Sequence, residues 1–295
     1  MALGALMGRG RPLITIEARP SPAHGPLHPD PGLLALMGRA DAVVFTALRD
    51  SAPDSPYGPT GESVRSALWA KRELGVEAIP TITCRDYPKS DRFRLFEALV
   101  EGGIETVLVV WGDPSSDPGR DIYDYGATWE LISAIRAWEA DRGKGHRGLE
   151  IAVQANPTAE DMDRELERLK RKRESGASIV FTQPEFDAER GLRFLDRLEG
   201  EGLDMAVMMG LLALKGPKSP MALEARLGIR IPAAVKDRMA EGGAEEGLRI
   251  ALELLEAFKD RVQGFHLYSY GGPGALSALL EGMAGIGGRR AGGSG

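Results

Sequence analysis

Acidic and amide side chains stand at the ends of otherwise apolar runs of this sequence. Glu17 lies near the end of Leu-Ile-Thr-Ile-Glu-Ala, Asp113 follows Thr-Val-Leu-Val-Val-Trp-Gly, and Gln183 ends Ser-Ile-Val-Phe-Thr-Gln. A carboxylate beside apolar residues is costly to bury unless it is paired or used. These three residues are therefore candidates for proton transfer and ligand binding, although helix caps or ties between strand ends would also account for them.

The scarcity of amide side chains makes their positions informative. The chain has one asparagine, Asn156, and three glutamines, Gln154, Gln183 and Gln263. Asn156 and Gln183 both come at the ends of predicted strands, so we expect both to face a site. The scarcity itself is typical of proteins from hot environments or of a GC-rich genome.

Threonine and histidine occupy the other strand ends. Thr46, Thr81 and Thr83 are ordinary strand residues as well as hydroxyl donors, so structural and functional roles both stay open. His266 lies in the middle of a predicted strand, and we interpret it as a buried core histidine.

Two further features resemble binding sites only weakly. His24, His28 and Asp30 share one loop, but the prolines between them disfavour the spacing that zinc ligands need, so we predict no metal site. The glycine-rich stretch Gly271–Gly274 follows the last strand, where many barrels hold a phosphate, and Lys215 precedes another glycine. A barrel that binds a phosphorylated substrate there is a third hypothesis, and a plain turn is its alternative.

Eight short β-branched runs alternate with longer charged runs of helical period, which predicts a single (β/α)8 TIM barrel. An open doubly wound sheet is the alternative, but no Gly-x-Gly-x-x-Gly motif follows the first strand. The predicted strands are 13–18, 42–47, 78–83, 106–112, 150–155, 178–183, 205–210 and 264–269. The predicted helices are 62–74, 90–102, 127–140, 160–176 and 244–258.

The lengths of the connections indicate which end of this barrel carries the site. Connections that enter strands are short, whereas those that leave strands 1, 2 and 4 are long and rich in proline. Barrel enzymes build their sites from the loops that leave the strands. We therefore expect the site at the carboxyl ends, within a barrel domain of residues 1–284 followed by a disordered tail, 285–295.

Composition excludes several classes of protein. With 295 residues and a net charge of −6, the chain can bury a large core and does not suit a protein built to grip nucleic acid. Its one cysteine, Cys84, rules out an intramolecular disulfide. We find no signal peptide and no apolar run of about 20 residues, so we predict a cytoplasmic protein without a membrane span.

Ordered short motifs from about residue 12 to residue 284 resemble the methylenetetrahydrofolate reductase family. Ile16-Glu17 before prolines is similar to the family's Phe-Glu-Phe-Phe-Pro-Pro. Pro80–Cys84 is similar to its Pro-His-Leu-Thr-Cys, and Gly112-Asp113-Pro114 to its Arg-Gly-Asp. The remaining matches, in chain order, are Phe45-Thr46, Leu169–Lys172, Gly176-Ala177, Phe181–Gln183, Phe186-Asp187, Arg230–Pro232 and Gly264–Tyr268.

The resemblance implies a flavin-holding barrel that reduces 5,10-methylenetetrahydrofolate to 5-methyltetrahydrofolate with NAD(P)H and FAD, within one-carbon metabolism and methionine biosynthesis. It makes Glu17 the general acid and places Asp113 between flavin and pterin. It further implies that Gln183 forms a hydrogen bond with the substrate or with the nicotinamide. It also implies a homo-oligomer. The residues it assigns to the cofactor are Thr46, Thr81, Trp111, Gly112, Tyr125, Gly126, Asn156, Glu165 and Lys172.

Departures from the family pattern concentrate on the flavin contacts. Trp111 stands where the family has arginine, Thr81 where it has histidine, and Asn156 where it has tyrosine. FAD, FMN and an exogenous hydride carrier such as a deazaflavin therefore stay open, as does a modified tetrahydropterin in place of tetrahydrofolate. A folate-binding accessory subunit of a one-carbon complex, without flavin chemistry of its own, is the alternative function.

Overall fold

Eight parallel strands pair in sequence order and close into a barrel, with β8 hydrogen-bonded to β1. The structure is a computed structural model that describes residues 2–7, 11–19, 29–47, 60–91, 94–117, 119, 121–142 and 148–287. The closed sheet confirms the (β/α)8 barrel and excludes the doubly wound alternative. The strands are β1 (Leu13–Ala18), β2 (Ala42–Phe45), β3 (Ala78–Thr83), β4 (Thr106–Val110), β5 (Glu150–Ala155), β6 (Ile179–Pro184), β7 (Ala206–Leu211) and β8 (Gly264–Leu267).

Three strands end earlier than their apolar runs predict. The runs 42–47, 106–112 and 264–269 each lose two residues at the carboxyl end, whereas 13–18, 78–83 and 150–155 match and the other two shift by one residue. After β4 the backbone turns at Gly112, whose φ of 86° takes it out of the extended region. Backbone hydrogen bonds continue for one residue past β2 and β8, from the N–H of Thr46 to the oxygen of Ala18 and from that of Tyr268 to the oxygen of Leu211. The side chains at these ends therefore stand at the carboxyl rim of the sheet.

Helices cover the outside of the barrel, and all five predicted helices are present with shifted ends. Those that the periodicity did not reveal are short, glycine-containing or separated from their neighbours by few residues. The helices are α1 (Leu3–Leu6), α2 (Pro31–Met37), α3 (Thr60–Trp69), α4 (Arg94–Glu101), α5 (Thr128–Asp141), α6 (Met162–Glu174), α7 (Ala188–Gly200), α8 (Ser219–Leu227), α9 (Ala233–Phe258) and α10 (Gly272–Gly287). A π-helical turn (Ala70–Leu74) continues α3, and 3-10 turns occupy Lys89–Asp91 and Ser269–Gly271.

Local signals explain where several helices begin. Asp30 caps α2 by accepting hydrogen bonds from the backbone N–H groups of Gly32 and Leu33, so this aspartate serves a helix. Asp187 caps α7 in the same way through the N–H of Arg190. The predicted helix 244–258 is the second half of α9, which breaks at Gly243, where φ is 57° and ψ is −141°.

The last helix extends past the predicted end of the barrel domain. α10 ends at Gly287, so residues 285–287 belong to a helix and not to the predicted disordered tail. Leu279, Leu280 and Met283 are buried on the preceding turns and anchor this helix to the barrel. Residues 288–295 lie outside the described residues.

The amino end of the barrel is plugged, which leaves the carboxyl end as the open one. Leu3 and Leu6 of α1 are buried against side chains inside the barrel, among them Val44, Ile79 and Leu108. The N–H of Leu3 donates to Thr106 Oγ1 at 3.0 Å, and that of Gly4 donates to Glu150 Oε2 at 2.8 Å. A separate layer of apolar side chains fills the space between strands and helices. Among the described helices, none is long and apolar enough to cross a membrane.

Replacing Gly247 with alanine should destabilise the fold, because α9 approaches the chain after β7 at this glycine. A Cβ atom at Gly247 would collide with the backbone oxygen of Leu214. We expect Gly247→Ala to lower the free energy of unfolding by about 1–3 kcal/mol, measured by denaturant titration. Gly200→Ala at the end of α7, where a Cβ meets nothing within 4 Å, is the control, and an equal effect there would contradict the packing argument.

Candidate active site

Polar side chains from every side of the barrel surround a cavity at the carboxyl ends of the strands. Its volume is about 480 Å³, within the range of small-molecule sites. A smaller cavity of about 180 Å³ adjoins it, and the two share Val110, Trp111, Gln154 and Gln183. The larger cavity gathers the candidates Glu17, Thr46, Thr81, Trp111, Gly112, Asp113 and Gln183, and the smaller gathers Asn156, Glu165 and Lys172.

Tyr125 and Gly126 do not line either cavity. The Tyr125 ring is buried, stacks on Tyr87 at 6.2 Å between centroids, and has the Lys89 ammonium 5.1 Å from its centre. The N–H of Gly126 donates to Glu130 Oε2 at 2.9 Å. The structure therefore separates these two predicted cofactor contacts from the other candidates.

Glu17 projects from the end of β1 into the wall of the larger cavity and is only 6 % exposed. Burial raises the pKa of its carboxyl, against the opposing effects of the Arg19 guanidinium, the Ser269 hydrogen bonds and the Arg226 guanidinium. Ser269 Oγ donates to Glu17 Oε1 at 3.2 Å. The carboxyl thus holds a proton at a higher pH than an ordinary glutamate does, as a general acid requires.

Three buried oxygen atoms in the cavity walls lack hydrogen-bond partners. Thr46 Oγ1, Thr81 Oγ1 and Gln183 Oε1 have none among the described residues. Buried polar atoms are nearly always paired in folded proteins, so each unpaired one needs an explanation. Their convergence on one cavity indicates that a polar ligand completes them.

Asp113 stands exposed at the cavity mouth, on a loop that a buried ion pair holds. Arg85 Nη1 donates to the backbone oxygen of Asp113 at 2.6 Å. The same guanidinium grips Asp86 in two hydrogen bonds of 2.6 and 2.7 Å, and Thr83 Oγ1 also donates to Asp86. A Cβ on Gly112 would lie 2.9 Å from the Thr83 Cβ, so only glycine lets the loop pass this close.

Sequence reasoning missed the Arg85–Asp86 pair, although a signal was present. Both residues are almost fully buried, and they come directly after the apolar β3. A charged pair adjoining a buried strand is unusual, because each charge loses its water. The Tyr123 hydroxyl adds a further tie by donating to the backbone oxygen of Gly112 at 2.8 Å.

His266 is buried as predicted, and it also lines the cavity. Its Nδ1 lies 2.9 Å from Thr15 Oγ1, and burial lowers its pKa to about 3, so the ring is neutral. It packs edge-on against Phe181 and Tyr268 at 5.1 and 4.7 Å between centroids. The neutral imidazole therefore belongs both to the core and to the cavity floor.

The candidates around the smaller cavity are bound largely to one another and to the backbone. Asn156 Oδ1 accepts from the N–H and the hydroxyl of Thr158 at 2.9 and 2.8 Å. Glu165 Oε1 accepts from the N–H of Asn156 at 2.9 Å, and Lys172 Nζ donates to the backbone oxygen of Gln154 at 2.7 Å. Burial lowers the pKa of Lys172, opposed by the nearby Glu165 carboxylate.

Neither of the two weak sequence signals contributes to this site among the described residues. His24 and His28 lie outside the described residues, and within the described ranges no three histidine, cysteine or acidic residues cluster to hold a metal. Lys215 does not line either cavity. Gly271 ends a 3-10 turn and Gly272–Gly274 begins α10, so this glycine stretch serves a helix start.

A closed (β/α)8 barrel with a buried carboxyl and unpaired oxygens at its carboxyl end has the architecture of a small-molecule enzyme. Comparison with protein families gives a match to the model described as methylenetetrahydrofolate reductase, over residues 53–282. The chain belongs to the methylenetetrahydrofolate reductase family. The match leaves out β1 and β2, and with them Glu17 and Thr46.

Individual relatives agree with this family. The 5,10-methylenetetrahydrofolate reductase of Pectobacterium carotovorum is 26% identical over 209 residues, which cover 68% of this chain and 67% of the relative. The enzyme of the same name from Escherichia coli is 28% identical over 211 residues, with the same two coverages. The chain thus spans about two thirds of the length of these relatives.

Solved structures with the same fold are more distant in sequence. One is an uncharacterized protein from Clostridium thermocellum that binds two copies of 5-methyl-5,6,7,8-tetrahydrofolic acid. It has a TM-score of 0.64 and 13% identity, over 97% of this chain and 99% of that one. Dihydropteroate synthase from Xanthomonas albilineans has a TM-score of 0.51 and 11% identity, over 95% and 94% of the two chains. At these identities the likeness shows the fold alone.

Breaking the Arg85–Asp86 pair should destabilise the protein strongly. Arg85→Met removes the guanidinium that holds Asp113 and leaves the Asp86 carboxylate buried without its ion-pair partner. We expect a loss of about 3–5 kcal/mol in the free energy of unfolding, measured by denaturant titration. Arg193→Met removes an exposed pair with Glu189 and should change little; a loss at Arg85 no larger than this control would show that the pair carries no structural role.

Proposed function

We propose that the chain is a methylenetetrahydrofolate-reductase-like oxidoreductase. It reduces a 5,10-methylene-tetrahydropterin, either tetrahydrofolate or an analogue, to the 5-methyl form with NAD(P)H as the reductant. The observation that carries the proposal is the buried carboxyl of Glu17, whose raised pKa suits a proton donor and which faces a cavity of substrate size. Membership of the family supports the substrate class.

Glu17 acts as the general acid that opens the five-membered ring of the substrate. Its proton passes to the N10 nitrogen, the bond between N10 and the methylene carbon breaks, and the N5 nitrogen forms an iminium with that carbon. Hydride addition to the methylene carbon then gives the 5-methyl product. The Ser269 hydroxyl, which donates to Oε1, orients the carboxyl for this transfer.

Asp113 and Gln183 hold the pterin. The carboxylate of Asp113 at the cavity mouth accepts hydrogen bonds from the aminopyrimidine edge of a pterin, and the Arg85 contact to its backbone fixes the height of the loop. The unpaired Oε1 of Gln183 accepts from a ring N–H of the substrate or from the nicotinamide carboxamide. These are positioning interactions, so their loss weakens binding more than the proton transfer.

The residues around the larger cavity fit a flavin ring. The unpaired hydroxyl oxygens of Thr46 and Thr81 offer hydrogen bonds to its polar edge, and Trp111, which is 43% exposed, offers an aromatic face beside Gly112. A bound flavin would take hydride from NAD(P)H and deliver it to the methylene carbon. Here the unpaired atoms favour a flavin ring, while the bonded Asn156, Glu165 and Lys172 offer less to a dinucleotide tail.

An absorption spectrum of the purified protein decides between the hydride carriers. A flavin band, with the mass of the released cofactor, identifies FAD or FMN. Colourless protein that reduces the substrate only with an added deazaflavin identifies an exogenous carrier. A third outcome is colourless protein that binds the tetrahydropterin and fails to reduce it with every carrier that is added. That outcome is expected of an accessory folate-binding subunit, and it would contradict the proposal of an enzyme.

Replacing the Glu17 carboxyl should stop methylene reduction specifically. We expect Glu17→Gln to lower the rate of 5-methyl product formation by about 10²–10⁴-fold, because an amide cannot supply the proton, while reduction of the hydride carrier by NAD(P)H continues. Stopped-flow measurement of the two half-reactions separates these effects. Glu62→Gln, at a buried glutamate outside the cavity, is the matched control, and equal loss of both half-reactions in Glu17→Gln would exclude the acid role.

The pH dependence of catalysis should follow the Glu17 carboxyl. A general acid works only when protonated, so kcat/KM falls as pH rises through its pKa. The hydrogen bond from Ser269 lowers that pKa, and Ser269→Ala should therefore move this alkaline limb to higher pH. Ser277→Ala, at an exposed hydroxyl on α10, should leave the profile unchanged. A limb in Ser269→Ala that stays in place or moves to lower pH would contradict the assignment.

A further inference from the structure

Two arginines from different barrel segments meet at one side of the cavity, around Tyr270. Arg19 follows β1 and Arg226 lies in the last turn of α8, which follows β7; both line the cavity. Their guanidinium carbons lie 5.9 and 4.8 Å from the centre of the Tyr270 ring. Because β8, which precedes Tyr270, pairs with both β1 and β7, closure of the barrel brings the two positive charges together.

These charges are not balanced within the described part of the chain. Neither Arg19 nor Arg226 forms an ion pair with a described residue, whereas Arg85, on another wall of the same cavity, is fully engaged by Asp86. The carboxyl that faces the two arginines is Glu17. When Glu17 carries the proton that the proposed reaction requires, neither guanidinium has an ion-pair partner among the described residues.

We propose that Arg19 and Arg226 form an anion subsite that receives the carboxylate-bearing tail of the tetrahydropterin substrate. This inference rests on the proposed function and names the class of carrier: a pterin with an acidic tail, as the glutamyl group of a folate provides. Arginine suits this role because its planar fork binds carboxylates in two parallel hydrogen bonds. The Tyr270 ring contacts both guanidiniums, which helps to hold them at the rim, and it adds an apolar surface for the segment that joins pterin and tail.

The subsite also links substrate recognition to the acid. Both guanidiniums lower the pKa of Glu17, while Tyr268 and Tyr270 pack on the same side. A bound carboxylate cancels part of that positive field, so Glu17 keeps its proton more readily when the substrate tail is in place.

The test compares two ligands that differ only in tail charge. The probes are 5-methyltetrahydrofolate and its glutamyl diamide, in which neutral amides replace both tail carboxylates. The dissociation constants of the two probes are measured by calorimetry at low ionic strength. We expect wild-type protein to prefer the acid, and Arg226→Gln and Arg19→Gln each to weaken acid binding by about three- to tenfold with the diamide unchanged. Arg193→Gln, on the outer face of α7, should leave both constants unchanged, and thermal melting verifies that every variant is folded.

The outcomes separate the subsite from the function. Equal affinity of wild-type protein for the two ligands, or equal weakening of both in the arginine variants, overturns the subsite and leaves the proposed function standing. A loss of NAD(P)H affinity with unchanged acid binding assigns the arginines to a dinucleotide phosphate and overturns the substrate tail. Failure of wild-type protein to bind either folate ligand overturns the proposed function, and the subsite with it.

Discussion

The burial of the Glu17 carboxyl is the constraint on which the surrounding site depends, because the neighbouring residues determine how far its pKa is raised. The barrel wall removes water from this group, which favours its protonated form. The Ser269 hydrogen bond and the two arginines pull in the opposite direction. Burial has the larger effect, so the pKa of the carboxyl stays above that of an ordinary glutamate, which is the direction that a proton donor needs.

The closed sheet makes this balance possible because it excludes water from the Glu17 carboxyl and brings the ends of separate strands together around it. β1 pairs with β8 on one side and β2 on the other, so Glu17, Thr46 and Ser269 arise from three neighbouring strand ends. Thr46, Asp113 and Tyr268 follow β2, β4 and β8, and all three line the same cavity at the carboxyl end of the barrel. α1 fills the opposite end with Leu3 and Leu6, so apolar packing and chemistry occupy different ends of one barrel.

Much of the fold and part of the site were readable from the sequence, because both follow from local pattern. Apolar runs located all eight strands, and a polar residue after such a run must emerge at the open end of a parallel barrel; Glu17, Gln183 and Thr46 were found this way. The Arg85–Asp86 pair and the meeting of Arg19 with Arg226 depend on contacts between distant segments, and local pattern did not reveal them. Tyr125 shows the converse, since a match to a family motif did not bring its side chain to the cavity.

The hydrogen bonds of the two cavities differ in a way that bears on what each can bind. Around the smaller cavity, Asn156, Glu165 and Lys172 already use one another or the backbone. A ligand there must displace existing bonds, so it gains little net free energy. Around the larger cavity, Thr46, Thr81 and Gln183 have side-chain oxygens without hydrogen-bond partners among the described residues. A ligand that donates to them breaks no existing bond and removes the free-energy cost of a buried, unpaired oxygen. The scarcity of amide side chains alone makes Asn156 and Gln183 equally good candidates for a ligand contact. Their hydrogen bonds separate them, because the Asn156 oxygen closes a turn while the Gln183 oxygen remains available to a ligand.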